Sequence, residues 1–419
     1  MKARTVYTGV LDKSPIRLRW QMALLAALVI VAYLPTIDIP LIADDYPNVS
    51  QALNYGVPSG LSTMLHDAQF RLRSTSYWVW YGIWRVAGIN AAACHAVSIG
   101  LHVINTWLVL ALALAWTRMR RAAFWAAAFF AVHEGHQEAV MWYSAISELL
   151  MFGFGAAALW CWLKGRTAAT AVLFALALLS KESAVMLLPL FALTTEPKEW
   201  KRGLARLAPL AILGAAAVLS LTQRGSDFFR LKDGSFSLHA PFWLTWPHSF
   251  ARLLWIWGWL ALAVIALVGD ARIRRAAGLA LVWIGIAFVP YSFLTYSTAI
   301  PSRQTYLASA GLALLVGLAI SRYAWRREVA MGLLALMVVH NTAILWTKKR
   351  AQFLERAAPT SKLIEVARRT QGAIWVRCFP LPPIDAEAAA RLGAERAPAD
   401  LVWDAEAARV RGATAFCYR

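Results

Sequence analysis

Apolar residues along this chain gather into eleven runs, near positions 20–34, 91–116, 122–132, 149–163, 167–180, 183–195, 207–221, 253–269, 276–293, 306–320 and 329–346. A helix that crosses a bilayer needs about 20 such residues, within a range of about 17–25. The pattern therefore predicts an all-α polytopic membrane protein of about 11 transmembrane helices, some of them short. After the last run the pattern changes. Strand-like pieces at 373–377 and 413–416 predict a small C-terminal α/β tail. The expected organisation is a membrane domain over 1–346 and a small domain over 347–419.

The segments between the runs alternate in character. One set is short and basic, around Arg118–Arg121, Lys164–Arg166, Lys198–Arg206, Asp270–Arg275 and Ser321–Glu328, and the N-terminus with Lys2, Arg4, Lys13, Arg17 and Arg19 belongs with it. The other set is longer and mixed, at 38–90, 133–148, 181–182, 222–252 and 294–305. Basic loops stay in the cytoplasm, so the N-terminus is expected there. An odd number of spans then places the tail outside. The first run is followed by Pro35, Thr36 and Ile37 rather than a small-x-small cleavage site, so it reads as a retained anchor.

Composition agrees. The 419 residues are 59% hydrophobic and only 16% charged, against about 25% charged in soluble domains. The net charge of +19 would suggest nucleic acid in a soluble protein. Here it sits mainly in the short basic loops and reads as a topology signal, which removes that partner. There is no phosphate-binding glycine loop, dinucleotide fingerprint or 34-residue helical repeat. Cys94 and Cys161 fall in apolar runs and read as packing residues. Cys378 and Cys417 lie in the exported tail, where an oxidising compartment favours a disulfide and a small domain gains most from one.

Candidate chemistry enters where the helices fall short. The run at 122–132 spans only about 16 Å as a helix, against about 30 Å of hydrocarbon, and the pair at 167–180 and 183–195 is also short. The polar segments beside them, His133-Glu-Gly-His-Gln-Glu138 and Ser180-Lys-Glu-Ser183, would then sit below the outer surface, where charge is tolerated only against protein or a water-filled cavity. The expectation is a cavity open to the outside, with structural ion pairs involving Glu138, Glu148 and Lys181 as the alternative reading. After the first span come Asp44 and Asp45. At a cavity mouth one of them could serve as general base; with a His or Glu the pair could hold a divalent metal; or both could sit in a solvated turn. No metal or other cofactor is claimed. Residues 49–90 are amphipathic and rich in aromatics (Tyr77, Trp78, Trp80, Tyr81, Trp84), the signature of interfacial helices, which would admit a lipid-borne substrate sideways.

Together these motifs resemble the GT-C glycosyltransferases, integral membrane enzymes that use polyprenyl-phosphate sugars. The nearest resemblance is to bacterial relatives of the protein O-mannosyltransferases of the transmembrane-and-TPR type. Their loop His-Pro-x-His-x-Glu-Ala-Val-x-Trp is similar to His133 through Trp142, their Leu-Ser-Lys-Glu to Leu179 through Glu182, and their late Glu-Arg-Tyr-x-Tyr-x-Pro-Ser to Ser302 through Ser309. The resemblance covers about residues 20–346. The TPR array is absent, Glu134 replaces a proline, and Ser302 replaces an acid. The resemblance implies inverting transfer of a sugar from a polyprenyl phosphate to a glycan, lipid or protein acceptor on the periplasmic face. Catalytic candidates are Asp44 or Asp45 as base and Glu138 as a second acid. Candidates for gripping the donor phosphate are Lys181, Arg303, His133 and His136. The competing class is a transporter or flippase of a lipid-linked glycan, built on the same outward cavity but with an inward route and usually repeat symmetry.

Overall fold

The computed structural model describes residues 15–67, 70–195, 200–221, 236–322 and 326–418. The basic residues of the first 14 positions and the 222–235 part of the 222–252 loop lie outside the described residues, as do 196–199 and 323–325. The chain is almost wholly helical. The first span, α1 (Pro15–Tyr33), gives way to a 3-10 turn and then to α2 (Asp45–Tyr55), α3 (Pro58–His66) and α4 (Ser74–Ala87). The main bundle follows: α5 (Ala91–Thr117), α6 (Arg120–Val132), α7 (Gln137–Met141), α8 (Ile146–Leu163), α9 (Thr167–Leu178), α10 (Leu187–Leu193), α11 (Trp200–Leu221), α12 (Phe242–Val268), α13 (Ala271–Phe288), α14 (Tyr306–Ser321) and α15 (Arg327–Ile344).

Eight helical segments among the described residues are long and apolar enough to cross a membrane, within 18–38, 91–117, 143–163, 201–220, 242–268, 271–291, 302–321 and 328–369. The other three apolar runs form the short helices α6, α9 and α10. The eleven runs thus divide into eight long helices and three short ones.

The shortest run lies at the centre of the bundle. α6 is an alanine-rich helix in which Ala122, Ala123, Ala126, Ala127, Ala128 and Ala131 are all fully buried. It packs on α14, where a Cβ added at Gly317 would fall 2.3 Å from the Ala122 carbonyl oxygen. Small residues let two backbones approach this closely, which is how apolar helices associate when burial from water does not drive them. A helix enclosed by protein need not match the bilayer, so 13 residues, about 20 Å, suffice. Beyond it the irregular chain from His133 to Ala145 is covered by neighbouring elements, as backbone at that depth must be.

The apolar pattern ends near 346, but the helix does not. α15 passes through a wide π turn (Leu345–Lys349) into α16 (Arg350–Arg369), a 42-residue helical stretch from Glu328 to Arg369, or about 63 Å. It therefore carries the last span well past the bilayer. The tail then forms β1 (Ile374–Cys378), α17 (Pro383–Ala394), β2 (Leu401–Val402), α18 (Ala405–Val410) and β3 (Thr414–Cys417). The sheet is wholly parallel, with order β2-β1-β3. Its register sets Ile374 against Leu401 and Thr414. Helices join the strands, as parallel pairing requires. Leu363, Ala367, Ile374, Val376, Ala386, Ala390, Leu401 and Phe416 form its core, and a disulfide joins Cys378 to Cys417. The tail rests on the membrane domain: Ile364, Ala388 and Ala389 share a cluster with Tyr46, Val49 and Ala52 of α2, and the Arg391 guanidinium donates to Ser50 Oγ.

Candidate active site

A cavity of about 540 Å³ opens where one end of the bundle meets α2 and α4. Its walls come from chain reversals at that end: Asp44 after α1, Trp142, Ser144 and Ala145 before α8 with Ser147 and Glu148 in its first turn, Lys181 to Ser183 after α9, Pro290 and Tyr291 after α13, and Arg303 with Gln304 before α14. Phe70, Arg73, Tyr77 and Trp80 close it from the α4 side.

The two adjacent aspartates have different surroundings. Ala43, in the left-handed region at φ +41°, turns the chain sharply before α2. Non-glycine residues enter that region only when the surroundings enforce it. Asp45, 1% exposed, turns away from the cavity and is saturated. Its Oδ2 accepts the Ile42 amide at 2.7 Å, and its Oδ1 accepts the amide and hydroxyl of Ser144 at 2.7 and 2.5 Å. Asp44, at the N-cap position of α2, lines the cavity, and its Oδ1 is buried with no hydrogen-bond partner. Burial and the Asp385 carboxylate of the tail push Asp44 up to about 6, against the pull of Arg303 and the Trp142 side chain. Burial and the Asp44 charge push Asp45 to about 7, against its three donors. The two acids titrate as a pair.

The cations are placed differently again. Arg303 lies over the Trp142 ring, 4.8 Å from its centroid. Its amide donates to Glu138 Oε2 at 3.1 Å and its guanidinium stands 4.0 Å from the same oxygen. Lys181, 5% exposed, forms a buried ion pair with Glu148 and lies 5.2 Å from the centre of the Tyr291 ring. Arg73 pairs with Glu182 at 2.8 Å and donates to the Ser180 carbonyl at 3.3 Å. Both latter cations thus carry their own counter-charge. The second oxygen of Glu148 and Gln304 Oε1 are buried without hydrogen-bond partners, as are Asp44 Oδ1 and the hydroxyls of Ser183 and Tyr291, so several acceptor atoms stand unfilled around the cavity.

Besides Asp45, three of the expected site residues stand apart from it. Glu138 does not line the cavity; it lies behind Arg303, with Arg356 of α16 3.8 Å away on its other side. Despite its burial, the Arg303 amide and the two guanidiniums hold its carboxyl below the usual range. His133 and His136 belong to a separate buried cluster. His136 Nε2 shares a 2.6 Å hydrogen bond with Ser309 Oγ, and its ring packs on His102, Phe130 and Tyr306. His133 stacks on Phe129, and its carbonyl accepts the Tyr33 hydroxyl at 2.7 Å. Burial lowers His133 to about 4, leaving it neutral. The structure brings Asp44, Lys181 and Arg303 to one cavity and leaves Asp45, Glu138, His133 and His136 outside it. Among the described residues no three His, Cys, Asp or Glu side chains form a group able to hold a metal.

Arg73, Glu148, Gln304 and Tyr291 complete the walls and were not candidates for catalysis or donor binding from sequence. Glu148 is legible only as a charge at the edge of an apolar run. Arg73 stands in the interfacial segment, where a charge carries no special signal.

No known family model matches the sequence, and no curated protein matches it either. Solved structures do. ArnT from Cupriavidus metallidurans superposes in its apo state with TM-score 0.58 at 14% identity, over 96% of this chain and 90% of that one. ArnT bound to undecaprenyl phosphate gives 0.55 at 12% identity, over 95% and 90%. The archaeal oligosaccharyltransferase AglB from Archaeoglobus fulgidus, in complex with an inhibitory peptide and a dolichol-phosphate, gives 0.54 at 12% identity, over 91% of this chain and 64% of that one. The fold is the one shared by ArnT and AglB. The superposition spans nearly the whole chain, so the shared fold extends past the membrane helices to include the tail.

Proposed function

We propose that this protein is a multi-pass glycosyltransferase of a bacterial inner membrane. It moves a sugar from a polyprenyl-phosphate donor to a hydroxyl of a glycan, lipid or protein acceptor on the periplasmic face, with N-terminus cytoplasmic and tail periplasmic. The observation that carries the reading is the pairing of Asp44 with Arg303 in one cavity. An acceptor hydroxyl there donates its proton to Asp44 as its oxygen bonds to the anomeric carbon. The bond from that carbon to the phosphate oxygen breaks with its electron pair, and polyprenyl phosphate departs as an anion against the Arg303 guanidinium. The transition state carries positive charge at the sugar and growing negative charge on the phosphate, so preformed charges of both signs stabilise it. Attack from the side opposite the phosphate inverts the anomeric centre. The unfilled acceptors on Asp44, Glu148 and Gln304 suit a ligand rich in hydroxyl donors. Polyprenyl-phosphate carriers also occupy the similar folds of ArnT and AglB.

The test compares Asp44→Asn with the parent, using purified full-length protein and a mixture of polyprenyl-phosphate sugars from a bacterial membrane extract. Loss of at least 100-fold in transfer, with unchanged thermal unfolding, is the expected result, in line with the usual contribution of a general base. Retained transfer rules Asp44 out as base. Movement of the intact lipid-linked glycan between leaflets of a vesicle, without transfer, would favour the flippase reading.

A further inference from the structure

A second cavity, of about 220 Å³, lies among the end of α5, the start of α13 and the side of α14. Its apolar wall is Trp116, Met119, Ala276, Leu279 and Leu314; Arg272 and Arg275 form its rim. The two arginines stand one turn apart on α13, on the same helix face. Arg272 donates to the Thr117 carbonyl at 2.6 Å, which fixes its guanidinium across the mouth. Neither arginine forms an ion pair among the described residues. The nearest acid in sequence, Asp270, is committed elsewhere: it caps α13 through the Ile273 amide at 2.9 Å and stands 3.7 Å from Arg322. No acidic side chain lines the cavity.

Depth decides what such a cavity would meet. From Arg272, α13 and the short turn after it lead to Tyr291 in the wall of the large cavity, 19 residues on, or about 28 Å at 1.5 Å per residue. That is close to the thickness of the hydrocarbon core. The two arginines therefore sit at the headgroup level of the opposite leaflet, and Leu279 and Leu314 lie deeper, at acyl-chain level. By the share of liquid volume a water takes, 220 Å³ holds about seven waters, enough for a phosphate group and the first carbons attached to it.

We propose that this cavity binds an anionic phospholipid of the leaflet facing away from the active site, its phosphate between Arg272 and Arg275 and the start of an acyl chain on Leu279 and Leu314. A cationic rim above an apolar wall complements that ligand and no soluble anion. Basic pockets between helices recognise lipid headgroups through this pairing. The site is independent of the proposed transfer reaction, since the donor cavity is a bilayer away.

Native mass spectrometry and thermal unfolding of the full-length protein test it, with dioleoyl phosphatidylglycerol and dioleoyl phosphatidylcholine added to detergent in parallel. Wild type should retain phosphatidylglycerol in preference and unfold at higher temperature with it. At about fivefold per surface arginine, R272A/R275A should lower the apparent affinity about thirtyfold. R274A, which changes a neighbouring arginine outside the cavity, should leave it within twofold. If the double variant does not fold, R275Q alone, at a side chain with no ion pair among the described residues, should still show the fivefold loss. Equal retention of the two lipids by wild type overturns the proposal, as does an unchanged preference in R275Q. Competition by millimolar inorganic phosphate as effective as by lipid would reassign the cavity to a free anion.

Discussion

The Lys181–Glu148 ion pair allows structure and donor binding to be separated. Both side chains are almost wholly buried, at 6% and 2% exposure, and salt in the medium does not reach them. Replacing Lys181 by Met leaves Glu148 charged and unpartnered; replacing Glu148 by Gln strands the ammonium. Removing one member of a buried pair costs about 3–5 kcal/mol, more than a hundredfold in the folding equilibrium. Removing both together, as Lys181→Met with Glu148→Gln, takes away two desolvated charges and is expected to restore most of that loss, because a buried pair is often no better than neutral packing. Thermal unfolding of the four purified proteins gives the cycle, and transfer from a polyprenyl-phosphate sugar is measured on each. If Lys181 also steadies the departing phosphate, the double variant unfolds near the wild-type temperature yet transfers at least tenfold more slowly. A stable double variant with full transfer would confine Lys181 to a structural role. Single variants as stable as wild type would refute the account of the pair itself.

Three further outcomes follow from the geometry. Transfer should rise with pH through about 6, where the carboxyl of Asp44 ionises, and level off above it; a pH–rate profile flat between 5 and 7 contradicts the base assignment. Asp45→Ala removes the acceptor for two amides and the Ser144 hydroxyl. At about 1.5–3 kcal/mol for each bond to a charged group, it should lower thermal stability markedly, while Ser144→Ala, which removes one of the three, costs only a fraction of that. The Cys378–Cys417 bond closes a separation of 39 residues, worth about 4 kcal/mol by loop entropy; Cys378→Ser should make the tail the first segment cut by protease, with the membrane helices still resistant.

What could be read from the sequence, and what could not, follows the range of each interaction. The eleven apolar helical runs and the convergence of polar breaks were legible because both follow from local sequence, although only eight of the runs form helices long enough to cross a membrane. The roles of Asp44 and Asp45 were not, since the group that separates them, Ser144, lies 99 residues away. His133 and His136 fit a site motif, yet their partners His102, Tyr306 and Ser309 come from α5 and α14, and burial among aromatics carries no local signature. The end of the apolar pattern at 346 suggested a domain edge, but helix propensity continues through Arg350–Arg369 without it.

The charges around the cavity add up in a way no single motif shows. Lys181 is answered by Glu148 and Arg73 by Glu182, so these pairs shape the walls and contribute little net field. What remains is Asp44 on one wall and Arg303 on another. Arg303 shares Glu138 with Arg356 of α16, so one negative charge is divided between two guanidiniums and Arg303 keeps a net positive character. The tail acts on the other wall as well, through Asp385, whose charge opposes ionisation of Asp44, and through the packing of α17 on α2. One unanswered anion and one incompletely answered cation, held on separate walls and both braced from the tail, are what a reaction needs when a proton leaves one reactant while a phosphate leaves the other.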